Sequence, residues 1–296
     1  MRVLVWVMLS LLVPSINAVA ENPFTEDPVA DKMHPPGIEE LVVVSEGSRM
    51  PGLIYMANGA GPHPTVVLLH GFPGNEKNLD IAQLARRAGF NVVFFHYRGA
   101  WGADGSYSIR TLDDDTLAVL AYLREPDNAR RLRVDSAKLT VLGHSLGGYT
   151  ALAAGRQDAD LVCVGAMSPA NMGLWKTGFD EGDLTGDRLT AYADSLFMLA
   201  DFSGEVMSDQ LQRSSMDELD IRGFGPGLAG KSVFMVVGDK DQVTPADSMF
   251  TPTKQAYSKV EGLSLQEHII SGDHSFSWSR VQLSGLILNW LAADCR

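Results

Sequence analysis

Apolar residues recur along this chain in two rhythms. Short continuous runs at Thr65–Leu69, Val92–Phe95, Leu139–Leu142, Leu161–Met167, Val233–Val237 and Leu265–Ile270 predict strands covered on both faces. Leu41–Val44 and Leu53–Ala57 precede them and predict a first hairpin. Between the runs, apolar positions are spaced by three and four, as on one face of a helix. This pattern predicts helices at Leu79–Ala88 (stopped by Gly89), Thr111–Leu123 and Leu146–Gly155. It also predicts a last helix at Trp278–Ala293, where Leu283, Leu286, Ile287, Trp290 and Leu291 share one stripe. Strands alternating with helices imply a mainly parallel α/β sheet of about eight strands, flanked by helices.

The rhythm breaks once. Residues 169–230 separate two predicted strands, and a structureless loop of that length does not suit a compact domain. Leu189, Tyr192, Leu196 and Leu199 fall at helical spacing, as do Leu211 and Met216–Leu219, and Ser215-x-x-Glu218 resembles a capping box. The expected organisation is therefore a core at 41–170 and 231–296, with a small helical cap at 171–230 inserted after the sixth strand. The cap is acidic, with 11 Asp/Glu against 4 Lys/Arg.

Residues 21–40 are polar and proline-bearing and read as an extended arm. Ahead of them, Arg2, the apolar run Val3–Val13, Pro14 and Ala18-Val19-Ala20 have the order of an export signal over 1–20. The run is too short to span a hydrocarbon core, which needs about 20 residues. The expectation is a protein exported to the periplasm or the medium, with no stable membrane insertion once the signal is removed.

Composition narrows the function. Of 296 residues, 45% are hydrophobic and 20% charged, which excludes disorder, collagen and coiled coil. The net charge is −12 and no Lys/Arg run occurs, so a nucleic-acid partner, which needs a basic face, is not expected. Two cysteines, Cys163 and Cys295, make no disulfide framework. Export would permit them to pair, but Cys163 sits in the run Leu161-Val162-Cys163-Val164 and reads as a small buried hydrophobe. Free thiols are the expectation.

Gly143-His144-Ser145-Leu146-Gly147 is a G-x-S-x-G motif between a predicted strand and a predicted helix. That setting makes a sharp turn that lifts the serine hydroxyl above the sheet. A serine needs an adjacent base, usually a histidine oriented by a carboxylate. Of the seven histidines, His34 and His63 lie in polar Pro-rich stretches. His70 and His96 end strands ahead of Ser145, the wrong chain order for this fold, and His144 adjoins the serine with a diverging ring. His274 follows a strand at its carboxyl end, where catalytic groups of open α/β sheets gather. It is the expected base, with His268, inside that strand, as the structural alternative. Asp239 and Asp241 both follow Val233–Val237; Asp241 lies further out, facing the His274 loop, and is the expected acid. His70-Gly71-Phe72-Pro73-Gly74 follows the strand Thr65–Leu69, and Pro73 has no N–H. The backbone N–H of Phe72 and that of Leu146 are thus the expected oxyanion donors.

His-Gly-Phe-Pro-Gly, Gly-His-Ser-Leu-Gly-Gly, Gly-Asp-Lys-Asp-x-Val-Thr-Pro and Gly-Asp-His-x-Phe occur in that order. Together they resemble an α/β-hydrolase fold serine hydrolase over about residues 41–296, the cap matching only in position and length. His96-Tyr97-Arg98-Gly99 followed by Trp101-Gly102 is similar to the branch holding prolyl-oligopeptidase-like and serine-aminopeptidase-like members and many bacterial esterases. Serine at the elbow departs from dienelactone hydrolases, which use cysteine, and haloalkane dehalogenases, which use aspartate. The resemblance implies acyl transfer through Ser145, His274 and Asp241 without a cofactor. The expected substrate is a carboxylic ester, or alternatively a short peptide amide; a non-catalytic binding protein on the same fold is the rival class. No metal motif competes, since Asp180-Glu181-Gly182-Asp183 lacks the remaining ligands of a calcium loop. Trp101 and Trp175 have the size to line a pocket, though packing explains an aromatic in a loop equally well.

Overall fold

The computed structural model describes residues 19–182 and 184–296, so the expected export signal lies outside it except for Val19 and Ala20. The chain opens with the antiparallel hairpin of β1 (Gly37–Ser45) and β2 (Ser48–Met56). Its two-residue turn, Glu46-Gly47, has positive φ at both positions, the conformation that matches the twist of the strands it joins. Residues 37–40, expected in the arm, thus belong to the sheet.

Then follow β3 (His63–Leu69), α1 (Leu79–Arg87), β4 (Asn91–Phe95), α2 (Leu112–Arg124), α3 (Pro126–Arg131), β5 (Val134–His144), α4 (Leu146–Gln157) and β6 (Cys163–Met167). The insertion carries α5 (Met172–Glu181), α6 (Leu184–Asp194), α7 (Gly204–Arg213) and α8 (Met216–Leu219). The core resumes with β7 (Ser232–Gly238), α9 (Thr251–Tyr257), β8 (Ser264–Ile270) and α10 (Arg280–Asp294).

The eight strands lie in the order β1-β2-β4-β3-β5-β6-β7-β8 and run parallel from β4 to β8. From β3 the chain steps outward to β4, then crosses to β5 on the other side of β3. Ligand crevices of open α/β sheets form at such a switch point, beyond the carboxyl ends of the strands. Alternate residues of β3 serve opposite faces: Val67 and Leu69 join the core under α2 and α4, whereas Val66 and Leu68 join the one under α1 and α10. Both faces are buried, which is why these strands read as unbroken apolar runs.

Two further expectations are corrected. Cys163 and Cys295 are bonded to each other, 132 residues apart in sequence and 5.9 Å between Cα atoms. Both are buried among Phe234, Trp290 and Leu291. The apolar setting of Cys163 is thus real, but the end of α10 returns to that same face of β6. In the cap, the helical spacing through Leu196 and Leu199 does not continue as helix. Asp194 ends α6 and takes a hydrogen bond from the Gly204 amide (2.8 Å), while Leu199 pairs with Ala100 as an isolated antiparallel bridge. The capping box of Ser215 and Glu218 is formed at the start of α8. α3 was not expected, and it buries no residue and so leaves no apolar pattern to read.

Candidate active site

β5 runs straight into the turn at Ser145, and α4 begins at the next residue. Ser145 has φ 60° and ψ −122°, a conformation that costs a non-glycine residue on the order of 1–3 kcal/mol. The surroundings hold it there. Its amide donates to the Met167 carbonyl (2.9 Å), and its carbonyl accepts from the amides of Gly148 and Ala170. The motif's glycines answer to close approach: a Cβ on Gly143 would strike the Gly147 carbonyl, and one on Gly147 the carbonyls of Leu69 and His70.

His274 lies in the loop after β8, and its Nδ1 donates to Asp241 Oδ2 at 2.8 Å. Asp241, in the loop after β7, is fully enclosed in its side chain. Its Oδ1 accepts from the amides of Val243 and Thr244 (2.9 Å each), and its Oδ2 from the Thr244 hydroxyl (2.8 Å). Burial alone would push this carboxyl up. The hydrogen bond and charge of His274, with the Thr244 donors, outweigh burial and bring it down to about 2. Asp239 instead turns back onto the Gly272 amide (3.0 Å), and His268 remains in β8 with its ring beside Phe234.

The loop after β3 closes the other side. A Cβ on Gly71 would lie 2.9 Å from the Cβ of Ser145, so this backbone passes directly beside the serine. Among the described residues, the backbone N–H groups of Phe72 and Leu146 have no acceptor in the chain. Leu146 is the first residue of α4, where a helix leaves its amides unpaired. A cavity of about 150 Å³ is walled by residues 71–76, His144, Ser145, Tyr192, His274 and Ser275. It therefore brings together Ser145, His274 and the Phe72 loop, with Asp241 behind His274.

Sequence reasoning missed two contributors. The ring of His144 does leave the serine, as the sequence suggests, but it has work of its own: its Nε2 donates to the His274 carbonyl at 2.7 Å. Burial, then the neighbouring His274, brings the His144 imidazole down to about 3 and keeps it neutral. Thr244, the second, gave its signal in the Gly-Asp-Lys-Asp-x-Val-Thr-Pro run without a role attached. Trp101 bonds the loop after β3, its Nε1 donating to the Pro73 carbonyl (2.7 Å), whereas Trp175 is core packing.

Among the described residues of 171–230, only Tyr192 walls this cavity. Asp187, Asp194, Glu205 and Asp209 line a separate groove between α5, α6 and α7. Asp180 and Glu181 end α5, and Asp183 lies outside the described residues. Among those residues no group of three or more His, Cys, Asp or Glu is placed to hold a metal ion, and no helix is long and apolar enough to cross a membrane.

Comparison with known proteins agrees with this architecture. The protein Rv2307c of Mycobacterium tuberculosis H37Rv is 30% identical over 138 residues, which cover 46% of this chain and 47% of that one. Esterase EstD of Thermotoga maritima is 30% identical over 135 residues, 42% of this chain and 31% of that one. The chain thus matches about half the length, or less, of these curated relatives. Among solved structures, Est1E from Butyrivibrio proteoclasticus superposes with a TM-score of 0.65 at 18% identity, covering 86% of this chain and 97% of that one. The Pyrococcus furiosus esterase Pf2001 gives 0.67 at 18% identity, covering 88% and 92%. At that identity the likeness is one of fold. The sequence model of the Alpha/beta hydrolase family matches residues 66–282, and the chain belongs to that family.

Proposed function

We propose that this protein is a serine hydrolase that cleaves carboxylic esters. The observation that carries the reading is the cavity walled jointly by Ser145, His274 and the Phe72 loop, with His274 bonded to Asp241. Since Nδ1 of His274 donates to Asp241, Nε2 carries the lone pair and takes the Ser145 proton as the hydroxyl attacks the substrate carbonyl. The tetrahedral oxyanion is held by the Phe72 and Leu146 amides, which have no other acceptor among the described residues. His274 then returns the proton to the leaving alcohol, and the same nitrogen activates water to release the acyl group. Esterase EstD and the esterases Est1E and Pf2001 are named for ester cleavage, and that supports the substrate class.

Esters rank ahead of peptides because the cap carboxylates that would receive a free amino group line a different groove. Export belongs to the same proposal. The apolar segment after Arg2 supports it, and so does the bonded pair Cys163–Cys295, which suits an oxidising compartment.

The test is a paired assay of purified protein on short-chain acyl esters and on aminoacyl amides, with Ser145→Ala as control. Ester turnover abolished by Ser145→Ala is expected, with a loss of roughly 10⁶ in kcat. Amide turnover without ester turnover would reverse the substrate ranking, and a Ser145→Ala variant of full activity would remove the mechanism.

A further inference from the structure

Two histidines that the proton transfers do not use stand directly behind the cavity wall. His70 directly follows β3 and is 1% exposed; its Nδ1 lies 2.8 Å from the Gly71 carbonyl. A carbonyl oxygen only accepts, so Nδ1 carries the ring proton. Nε2 of His70 is then a bare lone pair, and Nδ1 of His96 lies 3.4 Å from it. His96 must therefore donate, and both tautomers are fixed.

The consequence reaches Ser145 through one peptide plane. The Gly71 carbonyl and the Phe72 N–H are opposite edges of the same trans peptide, so holding the carbonyl against His70 directs the amide the other way. The loop is shaped around this ring. Gly74 has φ +99°, and a Cβ there would overlap the His70 imidazole. One residue earlier, the Pro73 carbonyl is held by Trp101 Nε1.

We propose that His96 and His70 form a donor relay, His96 to His70 to the Gly71 carbonyl, that aims the Phe72 amide at the oxyanion. This makes them positioning residues for acyl transfer, and the inference rests on the Ser145 reading above. The relay keeps its protons where the geometry puts them. Burial, with the nearby Lys77 charge, brings His70 to about 3 and His96 to about 4, so both are neutral at ordinary pH. Tyr97 packs its ring edge-on against His70, and the Lys77 amine stands 5.3 Å from the Trp101 ring.

The first test needs no variant. Two-bond ¹H–¹⁵N spectra of ¹⁵N-histidine-labelled protein near neutral pH read the tautomer of each ring. The proton of His70 is expected on Nδ1, the less common tautomer of a free side chain, and a proton on Nε2 would overturn the relay. The second test is kinetic, on a short acyl ester. His70→Leu is expected to lower kcat by about a hundredfold, as for loss of one oxyanion donor, with KM little changed. His70→Asn restores an N–H near the Nδ1 position and should recover about tenfold of that loss. His96→Leu should cost about tenfold in kcat, and His96→Asn less. Equal losses in the Leu and Asn variants, or losses in KM in place of kcat, would contradict positioning. Ester hydrolysis that survives Ser145→Ala would defeat the catalytic reading instead, while the spectra still report the relay.

Discussion

His144 holds the backbone of His274: its Nε2 donates to the His274 carbonyl at 2.7 Å, and the two rings sit 4.7 Å apart. The residue before Ser145 thereby fixes the loop that carries His274. Two loops from the ends of β5 and β8, 130 residues apart, are joined by one side chain.

That bond predicts a rate effect. His144→Leu should lower kcat for ester hydrolysis by about tenfold or more, because misplacing a catalytic group by an ångström is costly. His144→Gln, whose side-chain amide can reach as far as Nε2, should recover part of the loss. Stopped assays of both variants check this, and identical rates in Leu, Gln and wild type would remove His144 from the site.

The proposed acid is separable from its neighbour. Asp241→Asn should keep the fold yet lose on the order of 10⁴ in kcat, since the wrong tautomer of His274 is then favoured. Thr244→Val removes one hydroxyl donor to Asp241 and should cost less, about tenfold. Asp239→Asn disturbs only a local turn onto Gly272. A loss of about 10⁴ in Asp239→Asn with activity retained in Asp241→Asn would reverse the assignment.

Much of this was legible in sequence, and the reasons are physical. Each buried strand carried an unbroken apolar run because both faces of the sheet are covered, and the elbow declared itself because only glycine fits at 143 and 147. Asp241 lies further out in its loop than Asp239, and it is Asp241 that bonds His274. What depended on distant contacts was not legible. The pairing of Cys163 with Cys295 needs the register of α10 against β6, and the stop of α6 at Asp194 needs the Leu199–Ala100 bridge. In sequence, His70, His96 and His144 present themselves only as candidate bases. Their work as backbone donors appears once carbonyls from other loops come within reach of their rings.

Acid should weaken the fold in a defined window. His70 and His144 are buried with imidazoles near 3, against about 6.5 in an unfolded chain. Above pH 6.5 they are neutral in both states and cost nothing. As pH falls from 6.5 toward 3 the unfolded chain takes up their protons first, so stability declines through that window. Around pH 5 the two together should add close to two protons on unfolding, about 1.4 kcal/mol per pH unit for each. Asp241, depressed to about 2, adds a further loss only below about pH 4. Urea midpoints from pH 8 to pH 4 check this; a flat profile between 6.5 and 4.5 would contradict neutral burial of the two rings.

The disulfide should matter for stability and not for turnover. Cys163 begins β6, at the amino end of the strands, whereas Ser145 and His274 lie beyond their carboxyl ends. The bond closes a loop of 132 residues and ties α10 to the sheet. Cross-linking a span of that length restricts the unfolded chain by an amount worth about 3–5 kcal/mol. Replacing both cysteines by alanine removes the cross-link and adds a small cavity beside Trp290 and Leu291. The double variant should therefore unfold at clearly lower urea than the parent, while its kcat on a short acyl ester stays within about twofold at 25 °C. Treating the parent with reductant under partially denaturing conditions should reproduce the shift, because both sulfurs are shielded in the native fold. Unchanged urea midpoints would mean that apolar packing alone holds α10, and a collapse of kcat in a folded double variant would mean that the strand's two ends are coupled.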